Sequence, residues 1–203
     1  MRRVLIATSN SGKLRDFAGA AAGHGVTFAA LPDFDRLPAV VEDGATFEAN
    51  ARKKAEHYSR FAPGEIVLAD DSGLEVFALS GAPGVHSARY ASNSLEGNAD
   101  DHANNARLLR ELAGIADRRA RFVCVIATAR DGDTLATFRG EAEGRILEAP
   151  CGSGGFGYDP LFFLPALGKT FAELNPEEKA AVSHRGAAFR KFLEWCDRKP
   201  ATT

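Results

Sequence analysis

The sequence predicts an α/β or α+β domain built on a mixed sheet, and three observations carry that prediction. Short continuous apolar runs, Val4-Leu5-Ile6-Ala7 and Ile66-Val67-Leu68-Ala69, read as strands buried on both faces. Segments whose apolar residues recur at helical spacing are interleaved with them. Two longer runs, 120–129 and 134–143, are joined by Arg130-Asp131-Gly132-Asp133, a hairpin signal. A chain of 203 residues is long enough to bury a full core, and it is read as one domain, 1–203, with two lobes flanking a cleft.

The elements follow in order. After the first strand, Thr8-Ser9-Asn10-Ser11-Gly12 is a polar turn, and Leu14, Phe17, Ala18 and Ala21 then mark a helix. Residues 26–30 form a second strand and 32–38 a loop. Residues 46–61, rich in alanine, lysine and glutamate, form a helix stopped by Pro63-Gly64. The Ile66 run enters Asp70-Asp71-Ser72-Gly73, where Gly73 permits a sharp turn, and 74–79 resume an extended pattern. Residues 81–97 are a loop, and 100–112 are helical with Ala103, Ala106 and Leu109 on one face. The hairpin comes next, then a glycine-rich stretch over 149–160 and one or two helices over 176–195.

Bulk properties exclude several classes. A formal net charge of −2 argues against a protein that binds nucleic acid by phosphate neutralisation. Cys124, Cys151 and Cys196 lie far apart, so neither a disulfide framework nor a zinc site is implied. No run is long enough to span a bilayer, and Met1-Arg2-Arg3 leads into a strand rather than a signal peptide. The expected location is cytoplasmic.

Four segments carry chemistry. Thr8-Ser9-Asn10-Ser11-Gly12-Lys13 places free backbone N–H groups and a lysine at a helix start, which attracts anions. It is no Walker A loop, because Leu14 follows the lysine and the upstream glycine is missing. Asp70-Asp71 lies where α/β folds bind ligands, and on a strand the two side chains point to opposite faces. One faces the cleft; the other caps the turn or supports it. Glu42, Asp43 and Glu75 are further acids for a hard-cation site, since Mg²⁺ takes one or two carboxylates plus phosphates and water.

In Ser153-Gly154-Gly155-Phe156-Gly157-Tyr158-Asp159-Pro160, glycines bracket an aromatic ring and leave a face free to stack on a base. Lys179 and Ser183-His184-Arg185-Gly186 supply basic groups, with Ser183 as cap and His184 and Arg185 in the exposed first turn of the last helix. Separately each segment has an ordinary structural explanation. Together they are the parts needed to hold a Mg-nucleotide.

These segments, with Gly81-Ala82-Pro83-Gly84 and Ser87-Ala88-Arg89-Tyr90, occur in the order seen in the ITPase-like family of non-canonical purine NTP pyrophosphatases, which the chain resembles from Val4 to about Leu193. The resemblance implies a two-lobed α/β fold around a long mixed sheet, a homodimer, Mg²⁺ dependence and cleavage between the α- and β-phosphates. It gives Thr8, Ser9, Asn10, Ser11, Gly12 and Lys13 the triphosphate. Asp71 becomes metal ligand and proton acceptor, and Ser72 a substrate contact. Phe156, Gly157, Tyr158, Asp159, Lys179, His184 and Arg185 become base and phosphate contacts.

Two departures stand out. Val41-Glu42 replaces a pair of acids, leaving Glu42 as the second carboxylate candidate for the metal. Phe47-Glu48-Ala49-Asn50-Ala51 has alanine where the family has glutamate. The alternatives are a Maf-like nucleotide pyrophosphatase of different base preference and a nucleotide-binding regulator that does not hydrolyse.

Overall fold

The computed structural model describes residues 2–8, 26–92 and 99–198. A seven-stranded mixed sheet has the order β2-β1-β3-β4-β5-β6-β7. Its strands are β1 (Arg2–Ile6), β2 (Val26–Ala30), β3 (Ile66–Val76), β4 (Arg119–Arg130), β5 (Asp133–Ile146), β6 (Phe162–Leu164) and β7 (Lys169–Thr170). The flanking helices described are α1 (Phe47–Ser59), α2 (Asp101–Glu111), α3 (Pro176–Val182) and α4 (His184–Arg198). β1 pairs in parallel with both β2 and β3, whereas β6 is antiparallel to β5 and to β7. The mixed α/β reading therefore holds. Among the described residues, no helix is long and apolar enough to cross a membrane.

The chain divides into two compact units, and the division falls inside β3. One comprises 1–71, 124–140 and 183–203, the other 72–123 and 141–182. In the first, Val4, Ile6, Leu68 and Ile126 from the strands pack with Phe189 and Phe192 of α4. Phe28 of β2 lies 5.3 Å from Phe189, centroid to centroid. In the second, Leu74, Leu108, Leu112, Phe122, Phe162 and Phe171 form the core, with Phe122 and Phe171 stacked at 5.6 Å.

Several local rules are visible. Thr46 caps α1 by accepting from the Ala49 N–H at 3.1 Å. Asp131 and Gly132 have φ of 53° and 94°, the left-handed pair that a two-residue hairpin of matching twist requires. That turn is tied to α1 and its exit: Gly132 N–H donates to Ser59 Oγ, and Asp131 accepts from Gly64 N–H.

Four expectations need correction. Asp70-Asp71-Ser72-Gly73 is not a turn but the middle of β3, and Gly73 does not take a left-handed φ. Residues 77–79 form a 3₁₀ turn rather than extending the strand. The loops over 32–38 and 81–97 contain 3₁₀ turns at Phe34–Arg36 and Gly84–Arg89. On α2 the buried residues are Asn104 and Leu108, while Ala103 and Ala106 are exposed. The helix expected after Thr8, and residues 93–98, lie outside the described residues.

Gly140 lets α4 lie directly on β5. A Cβ at this position would meet the His184 carbonyl oxygen and the Ala188 nitrogen at less than 3.0 Å, and both are backbone atoms that cannot swing aside. Gly140→Ala is therefore expected to destabilise the protein by about 1–3 kcal/mol through overpacking, measured as a lower denaturant midpoint at unchanged slope.

Candidate functional site

The first unit concentrates charge around β3. Asp71 and Asp70 follow Val67, Leu68 and Ala69, all buried, and are themselves buried. Neighbouring side chains on a strand face opposite ways. Asp71 meets α1: Asn50 Nδ2 donates to its Oδ2 at 3.1 Å, and Lys54 Nζ lies 3.7 Å from its Oδ1. The same Lys54 ammonium donates to Glu42 Oε2 at 2.8 Å. Asn50 and Lys54 are one helical turn apart and so share a face.

Burial works against the Lys54 charge, but Asp71, then Glu42 and Asp70, outweigh it and hold the ammonium above the usual lysine range. Asp43 points to the exposed side, 2.6 Å from Lys53, whose hydrogen bond and charge lower its carboxyl.

Asp70 has different partners. Its Oδ2 is 3.8 Å from Arg185 Nε and 4.0 Å from the Cys124 thiol. Ser183 caps α4 as expected, accepting from the Gly186 N–H at 3.1 Å. His184 and Arg185, however, are each only 4% exposed, which corrects their placement in a solvated first turn. The reason lies in Gly140, which lets the helix start close on the sheet, and in Asp70, which supplies an opposite charge.

The second unit holds the glycine-bracketed loop. Gly155 and Gly157 have φ of 73° and 61°, so glycine is needed on both sides of Phe156. The Phe156 ring remains 39% exposed, with Lys179 Nζ 4.9 Å from its centroid. Asp159 is the organiser: its Oδ2 accepts from the Phe156 N–H at 2.9 Å and from Lys179 Nζ at 2.6 Å. Gly157 is fastened to α2 at both ends, its N–H donating to Asp101 at 2.6 Å and its carbonyl accepting from Asn105 at 3.0 Å. Tyr158 turns inward, its hydroxyl donating to the Ser87 carbonyl at 2.8 Å. Ser72 is half-buried in β3.

Thr8 follows β1 and lines a cavity of about 400 Å³ with Ala30, Leu31, Asp33, Phe34, Asp35 and Arg36. Ser9, Asn10, Ser11, Gly12 and Lys13 lie outside the described residues. Glu75, another candidate acid, is committed to Arg121 at 2.7 Å.

Sequence reasoning missed Asn50 and Lys54. Their signal was two polar side chains four apart on the stripe that also buries Phe47, Ala51 and Tyr58. Ala49, the departure noted above, is exposed and does not enter the cluster. Among the described residues, no group of three or more His, Cys, Asp or Glu forms a metal cage. Asp71 and Glu42 instead form a carboxylate pair bridged by an ammonium.

A parallel-to-antiparallel sheet, with carboxylates on a buried strand and a glycine-held aromatic beside a lysine, defines the class: a mixed α/β protein with charge gathered inside it. The chain belongs to the Ham1 family, whose model matches residues 4–195. A relative from Acidobacterium capsulatum, called dITP/XTP pyrophosphatase, is 53% identical over 193 residues, 93% of this chain and 95% of its own. One from Geobacter sulfurreducens with the same name is 52% identical over 96% of this chain and 98% of its own. Among solved structures, the Coxiella burnetii HAM1 protein superposes with a TM-score of 0.84 at 40% identity, covering 96% of this chain and 98% of its own.

The tyrosines offer a check on this packing. Burial, then Glu111, pushes the Tyr90 hydroxyl up to about 12. Burial also raises Tyr58 and Tyr158. A raised acid favours its neutral form in the folded state, so this stability is present below the unfolded pKa and lost as pH rises through the folded one. Phenolate absorbance of the native protein is expected to appear at higher pH than in the denatured chain. Coincident titration curves would contradict the inward placement of Tyr158.

Proposed function

We propose that this protein uses Mg²⁺ to hydrolyse non-canonical purine nucleoside triphosphates, ITP, dITP and XTP, to the monophosphate and pyrophosphate. The observation that carries the reading is the convergence of Asp71 and Glu42 on the Lys54 ammonium. Two hard carboxylates directed at one positive charge suit a divalent cation that completes its shell with water and substrate phosphate. Bound by Asp71 and Glu42, Mg²⁺ would serve as Lewis acid and template for the triphosphate. The names carried by the relatives support the same reaction class.

Asp71 accepts the proton of the attacking water. The water oxygen bonds to the α-phosphorus, the bond from that phosphorus to the α–β bridging oxygen breaks, and pyrophosphate leaves with the electron pair. Asn50 holds one carboxylate oxygen of Asp71, which fixes the orientation of the base. In this reading Thr8 to Lys13 grip the triphosphate, and Lys13 offsets charge on the leaving group. Ser72, the 156–159 loop, Lys179 and His184 contribute the remaining substrate contacts.

Selectivity follows from the edges of the base. Hypoxanthine and xanthine present a 6-oxo acceptor, which the Arg185 guanidinium, 3.8 Å from Asp70, or a backbone N–H meets as a donor. Adenine offers a 6-amino donor there, and buried donors left unpaired reject it. A backbone N–H near C2 donates to the xanthine 2-oxygen, tolerates the hypoxanthine hydrogen and opposes the guanine amine. The homodimer and the cytoplasmic location belong to the same proposal, and sedimentation tests the former.

Incubation with ITP, XTP, ATP and GTP plus Mg²⁺, resolving pyrophosphate from orthophosphate, is expected to give pyrophosphate from ITP and XTP only. Comparable rates on GTP would refute the pocket logic, and a preference for other bases would favour the Maf-like alternative. Asp71→Asn is expected to bind nucleotide while losing roughly 10²–10⁴-fold in turnover, the usual contribution of a general base. Near-normal turnover would remove Asp71 from the role.

A further inference from the structure

We infer that Asn50 is the positioning residue that brings the two carboxylate-bearing segments together as one cation site, by clamping segment 42–44 against Asp71. Asn50 is 0% exposed, and both ends of its side-chain amide are engaged. The Gly44 N–H can only donate, so Asn50 Oδ1 faces it, at 2.7 Å. That leaves the amide nitrogen for Asp71 Oδ2, at 3.1 Å. No other side chain of this size provides an acceptor and a donor in this order. An aspartate has no donor for Asp71, and a leucine has neither group.

Gly44 is the counterpart of the clamp. A Cβ there would lie 2.5 Å from Asn50 Oδ1 and 2.9 Å from Ala49 Cβ, so only glycine lets the segment lie flush on α1. Two residues before Gly44, Glu42 meets Lys54, and Lys54 is one helical turn beyond Asn50. The distance between the Glu42 and Asp71 carboxylates is therefore set through Asn50, which need not touch the cation. The inference depends on the proposed function in one respect: Asp71 and Glu42 are the ligands.

The test uses the full-length protein and Mn²⁺ alone as a spectroscopic probe, counting free ion by electron paramagnetic resonance. Asn50→Ala and Gly44→Ala are each expected to weaken Mn²⁺ binding at least about tenfold, as groups that orient metal ligands usually do. The double variant is expected to be no weaker than the weaker single one, because both break the same clamp. In turnover of Gly44→Ala, which leaves the bond from Asn50 to Asp71 in place, the Mg²⁺ concentration for half-maximal rate should rise while the rate at saturating Mg²⁺ recovers. Gly44→Ala touches neither carboxylate and keeps the test decisive if Asn50→Ala fails to fold.

Unchanged Mn²⁺ affinity in folded Gly44→Ala overturns the clamp, as do losses that simply add in the double variant. A wild-type protein that binds no Mn²⁺ overturns both the clamp and the ligand assignment. A wild type that binds Mn²⁺ while its variants do so equally well overturns the clamp alone.

Discussion

Adjacent residues on a strand cannot face the same way, and in β3 that constraint is applied to two consecutive buried aspartates. Asp71 is directed to α1, where Asn50 and Lys54 receive it, and Asp70 to the start of α4, where Arg185 lies opposite. A carboxylate inside a protein must find an opposite charge or hydrogen-bond donors. Two of them back to back require donors on both faces of the sheet at the same level. The presence of Asn50 and Lys54 on one turn of α1, and of Arg185 at the first turn of α4, meets that requirement.

The charges differ in what they do for the fold. Lys54 remains an ammonium despite its burial because three carboxylates act on it, Asp71 most strongly. Exposed pairs such as Lys53 with Asp43 stabilise little, since water screens them. The buried pairs are weak sources of net stability as well, but removing one partner strands the other. Their value is geometric: each holds a functional group at one address.

Much of this arrangement was legible in the sequence. The 26–30 strand, the hairpin with Asp131-Gly132 at its tip, the Thr46 start of α1 and the Ser183 cap all follow local rules that tertiary contacts did not override. What went unread shares one physical cause. Amphipathic reading counts polar residues as outward-facing, yet α1 buries Asn50 and α2 buries Asn104. Asn104 accepts from the Ala91 N–H and donates to the Ala88 carbonyl, so it behaves as part of the core. His184 and Arg185 were misplaced for the same reason, because the room made by Gly140 and the charge of Asp70 are both distant in sequence. The Asp70–Gly73 segment was read as a turn from its composition, whereas the β3 ladder keeps it extended.

The attachment of the glycine-bracketed loop to α2 bears on how this protein can be altered. Asp101 and Asn105 hold Gly157 from more than fifty residues upstream, at separations of 56 and 52 residues. Grafting the loop into an unrelated scaffold would carry its aromatic ring but not its bearing, since the anchor belongs to another stretch of chain. Anyone seeking to retune the ring's tilt has a handle well away from it in sequence, in the opening turns of that helix.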